Sequence, residues 1–477
     1  MPTEGRRRRA SGLSRAVIAV VAAAAAAALL ASACPRSTAA KRPRNVVFIL
    51  VDTLRADHLG VYGYRRATSP ALDALARESL LFGNARSQSS CTFPSVNSML
   101  TSRYPSAFLA QPGGAMGLPA GVPGLAEILR ARGFSTVAIS ASPVVRRSPG
   151  RFNPLGGFGR GFDLFREECV WRHADCVTRQ AVEQLRPGPR PLLLYLHFMD
   201  PHGPYGPPPP YPRRWAVGHP DKEFIRRGDP NPIGDWLYKG APDPRVTPAD
   251  LRYLEALYDD SIAFFDSQLA LLLARLRASG LYDDSILVLA ADHGEEFMEH
   301  GHVKHCRTVF DTSVHTPLLF HVPGVAPRRS EAPVQNLDIV PTLLDYLGIP
   351  TAGPAGPAAA GPRVEGRSLR PAIEGGAGAA AAGPEIYQWS AQGALRGVSD
   401  GRLKLVHDLA THQFSLYDLA RDPGETHDAL REHRRDFQRL RQALAAWLAR
   451  TEGPAIGETM RRSEAADRRL RSLGYLD

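Results

Sequence analysis

Asn45-Val46-Val47-Phe48-Ile49-Leu50-Val51 is an unbroken apolar run, largely β-branched and of strand length, and it ends on a carboxylate, Asp52. A strand with no polar alternation is buried on both faces, which is the condition of a parallel sheet covered by helices. Two further runs share this form. Pro191-Leu192-Leu193-Leu194-Tyr195-Leu196-His197 leads into Asp200-Pro201-His202, and Ser285-Ile286-Leu287-Val288-Leu289-Ala290-Ala291 leads into Asp292-His293-Gly294-Glu295-Glu296. Ligands of open α/β sheets bind at the carboxyl ends of strands, so the polar residues closing these runs are the first candidates for chemistry.

Helical patterns fill the intervals: Ala71–Ala85, Gly124–Ala131, Val177–Leu185, the long amphipathic Pro248–Ala278, and Ile339–Leu347. Ser135–Ser142 and Leu318–Val322 read as additional strands, and the Pro-rich, aromatic stretch from Phe198 to about Asp243 reads as a long loop over the site. After an Ala/Gly/Pro-rich interval, short alternating strands at Glu385–Trp389, Leu395–Val398, Leu403–His407 and Gln413–Leu416 precede a helix at Asp436–Arg450. The expected fold is α/β, a mostly parallel central sheet flanked by helices, with a smaller C-terminal α+β domain. The expected divisions are a leader over 1–34, a catalytic domain over 44–350, a linker or loop over 351–383 and a small domain over 384–477.

A second stretch supplies a hydroxyl: Ser89-Ser90-Cys91-Thr92-Phe93-Pro94-Ser95-Val96-Asn97-Ser98 runs into an apolar helical pattern. Pro94 suits the first turn of a helix, where its missing N–H needs no partner and the free N–H groups face an anion. Asp52, Thr92, Asp292 and His293 together make a plausible shell for one divalent cation, Ca²⁺, Mn²⁺, Mg²⁺ or Zn²⁺. His202, Lys304 and His305 are then candidates to hold ester oxygens or to protonate a leaving group.

Arg6 to Arg9 and Arg15 precede an apolar run, Ala16 to Ala33, that ends at Cys34. This is the pattern of an export signal, with Cys34 placed for lipidation. It implies a periplasmic or cell-envelope address with membrane attachment through an N-terminal lipid or anchor. The formal net charge of +10 falls to about +6 without the first 33 residues, and no dense basic stripe interleaved with aromatics marks a nucleic-acid surface. Such a surplus favours anionic substrates. In an exported chain Cys169 and Cys176 are placed to close a short disulfide loop.

The ordered motifs Asn45 to Tyr62, Thr92-Phe93-Pro94-Ser95, Asp200-Pro201-His202, Ala291-Asp292-His293-Gly294-Glu295, Leu416-Tyr417-Asp418-Leu419 and Asp422-Pro423-Gly424-Glu425 resemble the sulfatase family of the alkaline-phosphatase superfamily. The resemblance runs from about residue 45 to the C-terminus. It implies one divalent metal held by Asp52, Asp292 and His293, Thr92 at the nucleophile position, and His202 and His305 facing substrate beside Asp200. The substrate it implies is an anionic sulfate or phosphate ester.

Two departures bear on the reaction. The family's Cys-x-Pro-x-Arg, whose cysteine becomes formylglycine, reads Thr92-x-Pro94-x-Val96 here, with Cys91 one residue early. Formylglycine is therefore not expected, because one residue of slippage at a helix start swings a side chain by about 100°. Cys91 is expected unmodified or in a disulfide, with Cys306 as a partner. The family's Asp-Asp pair reads Asp52-Thr53, which leaves the metal type open. The first expectation is an ester hydrolase using the Thr92 hydroxyl, with phosphoester favoured over sulfate ester. A phospho-head-group transferase of the envelope and a non-catalytic sulfatase-like binding protein are the alternatives.

Overall fold

Residues 46, 48 and 50 feed one apolar cluster and residues 47, 49 and 51 another, so the first strand is covered on both faces as its composition demands. The computed structural model describes residues 43–105, 117–118, 121–153, 156–171, 173–218, 220–238, 246–352, 361–375, 386–390 and 395–451. The leader expected over 1–34, Cys34 included, and residues 353–360 and 376–383 of the expected linker lie outside them.

The strands are β1 (Asn45–Val51), β2 (Leu80–Phe82), β3 (Ala85–Arg86), β4 (Ser135–Ser140), β5 (Leu164–Arg166), β6 (Leu192–Phe198), β7 (Ser285–Ala291) and β8 (Glu296–Phe297). They continue as β9 (Val303–Lys304), β10 (Leu318–His321), β11 (Arg328–Ser330), β12 (Val334–Gln335), β13 (Ile386–Trp389), β14 (Leu395–Ser399), β15 (Leu403–Asp408) and β16 (Gln413–Asp418). The helices that matter below are α1 (Pro70–Arg77), α2 (Thr92–Thr101), α3 (Leu125–Arg130), α4 (Ala174–Gln184), α5 (Glu223–Arg226), α6 (Asn231–Tyr238), α7 (Pro248–Ala278), α8 (Asp311–Val314), α9 (Ile339–Tyr346), α10 (Arg370–Glu374) and α11 (Arg434–Thr451).

Eight strands form the central sheet in the order β11-β2-β10-β7-β1-β6-β4-β5. All pairings are parallel except those of β10, which runs antiparallel to both β7 and β2. On one face α7 buries Leu254, Leu257, Ile262, Phe265, Leu269 and Leu272, and on the other α2 and α9 bury Val96, Met99, Leu100, Ile339, Leu343 and Leu344. The start of α7 is fixed by Thr247, whose Oγ1 accepts from the Asp250 N–H while the Asp250 carboxylate accepts from the Thr247 N–H.

Strands β13 to β16 make an antiparallel sheet that packs with α11 around Leu405, Leu416, Leu440, Leu444 and Trp447, joined by Tyr104 and Leu337. Residues 42–477 form one unit. The small sheet is also tied in electrostatically, because Lys404 of β15, with no exposed surface, stands 2.8 Å from Asp311 and 2.9 Å from Glu425. Asp311 in turn pairs with the buried Arg86.

Three readings of the sequence change. The helix expected over 71–85 stops at Arg77, since Leu80–Phe82 leaves it to pair with β10 and β11. The stretch after Phe198 is not wholly loop: it holds α5 and α6, too short to show a period among so many prolines. Within 351–383, Arg370–Glu374 is helical, with Pro371 in its first turn.

Candidate active site

The register of the sheet brings three strand ends together. Val51 pairs with Phe198 on one side and Ala291 on the other, so Asp52, the end of β6 and Asp292 emerge side by side. Helix α2 is fastened across them by Ser95, whose hydroxyl donates to the Asp292 carbonyl at 2.6 Å. Gly294 lets the chain turn away under tight packing, because a Cβ there would stand 2.0 Å from the Thr312 carbonyl oxygen.

Each of the two carboxylates has one oxygen engaged and one without a partner. Asp52 Oδ2 meets His197 Nε2 at 3.3 Å, and Asp292 Oδ1 accepts from the backbone N–H groups of Thr53 at 3.2 Å and His293 at 2.9 Å. Asp52 Oδ1 and Asp292 Oδ2 are buried with no hydrogen-bond partner. Both lie near His293 Nε2, at 3.8 and 3.5 Å, and Thr92 Oγ1 is 3.0 Å from the same nitrogen. The Gly294 carbonyl, 2.9 Å from His293 Nδ1, accepts only from an N–H, so the lone pair is on Nε2 and Thr92 donates its hydroxyl proton to it.

Two orphaned carboxylate oxygens, an imidazole lone pair and a hydroxyl thus converge, and the set fits a divalent cation. Burying orphaned carboxylate oxygens otherwise costs about several kcal/mol. Burial, reinforced by Asp52, pushes the Asp292 carboxyl up to about 6, the mark of a pair that resists carrying two negative charges without a counter-ion.

The expected Asp52, Thr92, Asp292 and His293 are therefore brought together. His202 and His305 lie alongside, with ring centroids 5.2 Å from each other and that of His305 4.5 Å from His293. His305 Nδ1 faces Glu295 Oε1 at 3.0 Å, and His202 Nδ1 donates to the Gly203 carbonyl at 2.6 Å. Burial, opposed by His202, His293 and Lys304, pushes the Glu295 carboxyl up to about 7. Burial holds His305 well below the ordinary imidazole range.

Two more of the expected residues have partners within the chain. Asp200 Oδ1 pairs with His173 at 3.0 Å and its Oδ2 accepts from the Ala174 N–H at 2.7 Å, which fixes the start of α4. Lys304 Nζ donates to Asn231 of α6 at 2.7 Å, and its charge also reaches Glu295. The residue that sequence reading passed over is His197. It joins Asp52 and Asp292 as the one group of three ligand-type side chains found among the described residues, with atoms within 4.8 Å of one another. A histidine closing a buried apolar strand beside β1 is the available signal, though in sequence it looks only like the end of the run.

Cys91, the residue before Thr92, is bonded to Cys306, the residue after His305, and Cys169 is bonded to Cys176. In the place of the second acid, Thr53 adopts a left-handed backbone (φ 57°), and its hydroxyl donates to the Asp52 carbonyl at 2.7 Å.

A hydroxyl and a pocket of cation-ligand type thus share the carboxyl edge of this sheet. The family model for Sulfatase matches residues 44–349, and that for N-sulphoglucosamine sulphohydrolase, C-terminal, matches residues 298–452. The chain belongs to the sulfatase family, whose members are hydrolases acting on sulfate or phosphate esters and typically bind a divalent metal.

It is similar to an ulvan-active sulfatase of Formosa agariphila, 26% identical over 64% of this chain and 62% of that one. It is also similar to a choline-sulfatase of Rhizobium meliloti, 27% identical over 50% of this chain. The chain thus spans 62% and 46% of the lengths of these two relatives. The fold is shared with the crystal structure of a phosphonate monoester hydrolase of Agrobacterium radiobacter, with TM-score 0.66, 22% identity, and 88% of this chain and 97% of that one covered.

Proposed function

We propose that the chain is an exported hydrolase of phosphate monoesters or diesters that uses Thr92 as nucleophile. The observation that carries this is the 3.0 Å contact of Thr92 Oγ1 with His293 Nε2, at the mouth of two orphaned carboxylate oxygens, while the neighbouring cysteine is held in a disulfide. Asp52, Asp292 and His293 would hold a divalent ion, with His197 orienting Asp52. Bound there, the ion would balance the carboxylates and lower the pKa of the Thr92 hydroxyl.

Thr92 Oγ, its proton released to solvent, attacks phosphorus, the bond to the alcohol oxygen breaks, and that oxygen takes the Nε2 proton of His305 while the buried Glu295 carboxyl passes its own proton to Nδ1. Glu295 keeps His305 Nδ1 occupied, so Nε2 is the nitrogen turned to substrate. Water then displaces Thr92 from phosphorus in a second in-line step, giving one proton back through His305 to Glu295 and leaving the other on the phosphate. A sulfated threonine lacks the exit by which a formylglycine hydrate sheds sulfate, and this favours phosphorus over sulfur. The export reading rests on the Arg-led apolar segment ending at Cys34 and is supported by two disulfides, which persist in oxidising compartments.

The test is turnover of nitrophenyl phosphate, bis(nitrophenyl) phosphate and nitrophenyl sulfate by the full chain with Mn²⁺, Ca²⁺ or Zn²⁺, with and without an added alcohol acceptor. Phosphate release that requires metal and Thr92 is expected. Faster sulfate release, turnover in chelator, or modification of the acceptor would each overturn a part of this reading.

A further inference from the structure

The hairpin β8–β9 carries both groups of the proton relay, with Glu295 just ahead of β8 and His305 just behind β9. Its ladder is short: Glu296 pairs with Lys304 and Phe297 with Val303. A ladder of that length is marginal on its own. Its backbone is also strained, because Met298, Lys304 and Cys306 are left-handed, with φ of 78°, 71° and 79°. Such conformations persist only where the surroundings over-determine them.

The surroundings hold it from several sides. The buried Arg55 guanidinium donates to the Glu295 carbonyl at 2.9 Å and pairs with Glu299 at 2.5 Å, and Cys306, next to His305, is bonded to Cys91. At the tip, His300 reaches the C-terminal module. Its Nε2 donates to the Gly424 carbonyl at 3.0 Å, and its Nδ1 lies 3.1 Å from Glu296 Oε1. The ring stacks on Phe310 with centroids 3.8 Å apart, and Phe310 meets Tyr417 of β16 at 5.8 Å. Gly424 is itself anchored, since Glu425 beside it stands 2.9 Å from the buried Lys404.

The two acceptors decide the charge of the ring. A carbonyl takes only an N–H, so Nε2 is protonated, and the Glu296 carboxylate, whose other oxygen accepts from Thr308 at 2.9 Å, calls for a proton on Nδ1 as well. Only the imidazolium donates from both nitrogens. Burial opposes that charge, yet the hydrogen bonds to Glu296 and Gly424, with the charges of Glu296 and Glu425, raise His300 above the ordinary imidazole range.

We propose that His300 is a positioning residue for proton transfer: as a doubly donating imidazolium it clamps the tip of the β8–β9 hairpin to Gly424, and so holds His305 and Glu295 where the leaving-group oxygen takes its proton. This rests on the reading of His305 and Glu295 as the relay. It gives the C-terminal sheet a part in the reaction, exerted through the hairpin.

The test uses His300→Phe, which keeps a ring against Phe310 and removes both hydrogen bonds, and His300→Gln, which keeps a donor for one of them. Ethyl phosphate needs a proton on its departing oxygen, whereas nitrophenyl phosphate leaves as a stable phenolate. His300→Phe should therefore lower kcat/KM on ethyl phosphate at least about tenfold and on nitrophenyl phosphate no more than about twofold, a part of the roughly 100-fold or more that a positioned proton donor supplies. His300→Gln should fall between wild type and His300→Phe on the alkyl ester. Equal losses on the two esters would make His300 a merely structural residue and overturn the proposal, as would an unchanged kcat/KM on ethyl phosphate. Thermal melts confirm that each variant is folded at the assay temperature, and if His300→Phe does not fold, the ratio of the two losses in His300→Gln decides instead. Hydrogen exchange gives a readout independent of turnover: amides of residues 295–306 should exchange faster in the variants while those of β1 stay as in wild type. If wild type cleaves neither ester, the ester-cleaving reading fails by itself, and unchanged exchange over 295–306 then overturns the clamp separately.

Discussion

Cys91 and Cys306 are joined, so the residue before Thr92 is bonded to the residue after His305. The bridge spans 215 residues and links the cap of α2 to the loop that follows β9. It takes the cysteine nearest the formylglycine position out of any oxidation to an aldehyde, and it fixes the hydroxyl and the imidazole in one frame.

The double variant Cys91→Ser/Cys306→Ser should lose about 2–5 kcal/mol of stability, the usual scale for a native disulfide. At temperatures where it stays folded it should keep most of its turnover. Thermal melts and initial rates check this, and peptide mass spectrometry of the wild type should show bridged cysteine and no aldehyde. An inactive but folded double variant would restore Cys91 as the reacting residue.

Thr92→Ala should lower kcat at least about 100-fold, the scale on which a positioned catalytic group contributes. Thr92→Ser keeps the hydroxyl and should lie far closer to wild type. Steady-state rates on a nitrophenyl ester distinguish them, and equal rates for Ala and Ser would remove the hydroxyl from the reaction.

The His197 ring orients Asp52 through Nε2 and meets the Tyr195 hydroxyl through Nδ1, so His197→Ala should weaken Mn²⁺ binding about 10–100-fold, as loss of a ligand-orienting group does. Asp292→Asn should weaken it further, because it removes an orphaned charge. Calorimetric titration with Mn²⁺ gives both numbers, and unchanged affinity in Asp292→Asn would move the cation elsewhere.

Asp200→Asn should act on stability rather than on the reaction. It weakens the pairing with His173 and the cap on Ala174, with a cost of about 1 kcal/mol. A chemical denaturation curve should show the loss while KM stays near wild type. A large rise in KM would return Asp200 to the substrate.

Lys404→Met should cost about 3–5 kcal/mol near neutral pH, because it strands Asp311 and Glu425 as buried carboxylates with only Arg86 to balance them. Burial opposes the charge on Asp311, yet Arg86 and Lys404 hold its pKa well below the ordinary range. Its stabilisation is therefore present above the unfolded pKa and is lost as pH falls. Burial raises Glu425, and without Lys404 it rises further, so the variant is most handicapped at high pH. Denaturation at pH 5 and pH 8 should show the gap to wild type narrowing in acid.

The parts of this architecture that a reader of the sequence recovers are those in which burial writes itself into composition. β1, β6 and β7 are apolar throughout because both faces are covered, and Pro248–Ala278 is legible to the residue because Thr247 caps it and its leucines repeat along one face. The antiparallel direction of β10 leaves no trace, since a four-residue apolar strand reads alike both ways. Asp52, Thr92, Asp292 and His293 were legible because they close or open recognisable elements. His197 was not, because a polar residue inside a hydrophobic run looks like the run's end. The true partner of Asp200 is a histidine 27 positions earlier, a pairing that only the crossing of α4 over the sheet creates.

The position of β1 at the middle of the sheet has a consequence for how the chain comes to be built. Asn45 holds the Leu192 N–H, 147 residues away, and the Asp284 carbonyl, 239 residues away. During synthesis β1 therefore waits for both of its neighbours, and its pairing is incomplete until β7 has been made. Such long-range pairing makes folding slow and leaves nascent chains open to aggregation. Growth temperature and chaperone supply, more than any substitution at the active edge, should govern how much of this protein a cell recovers in soluble form.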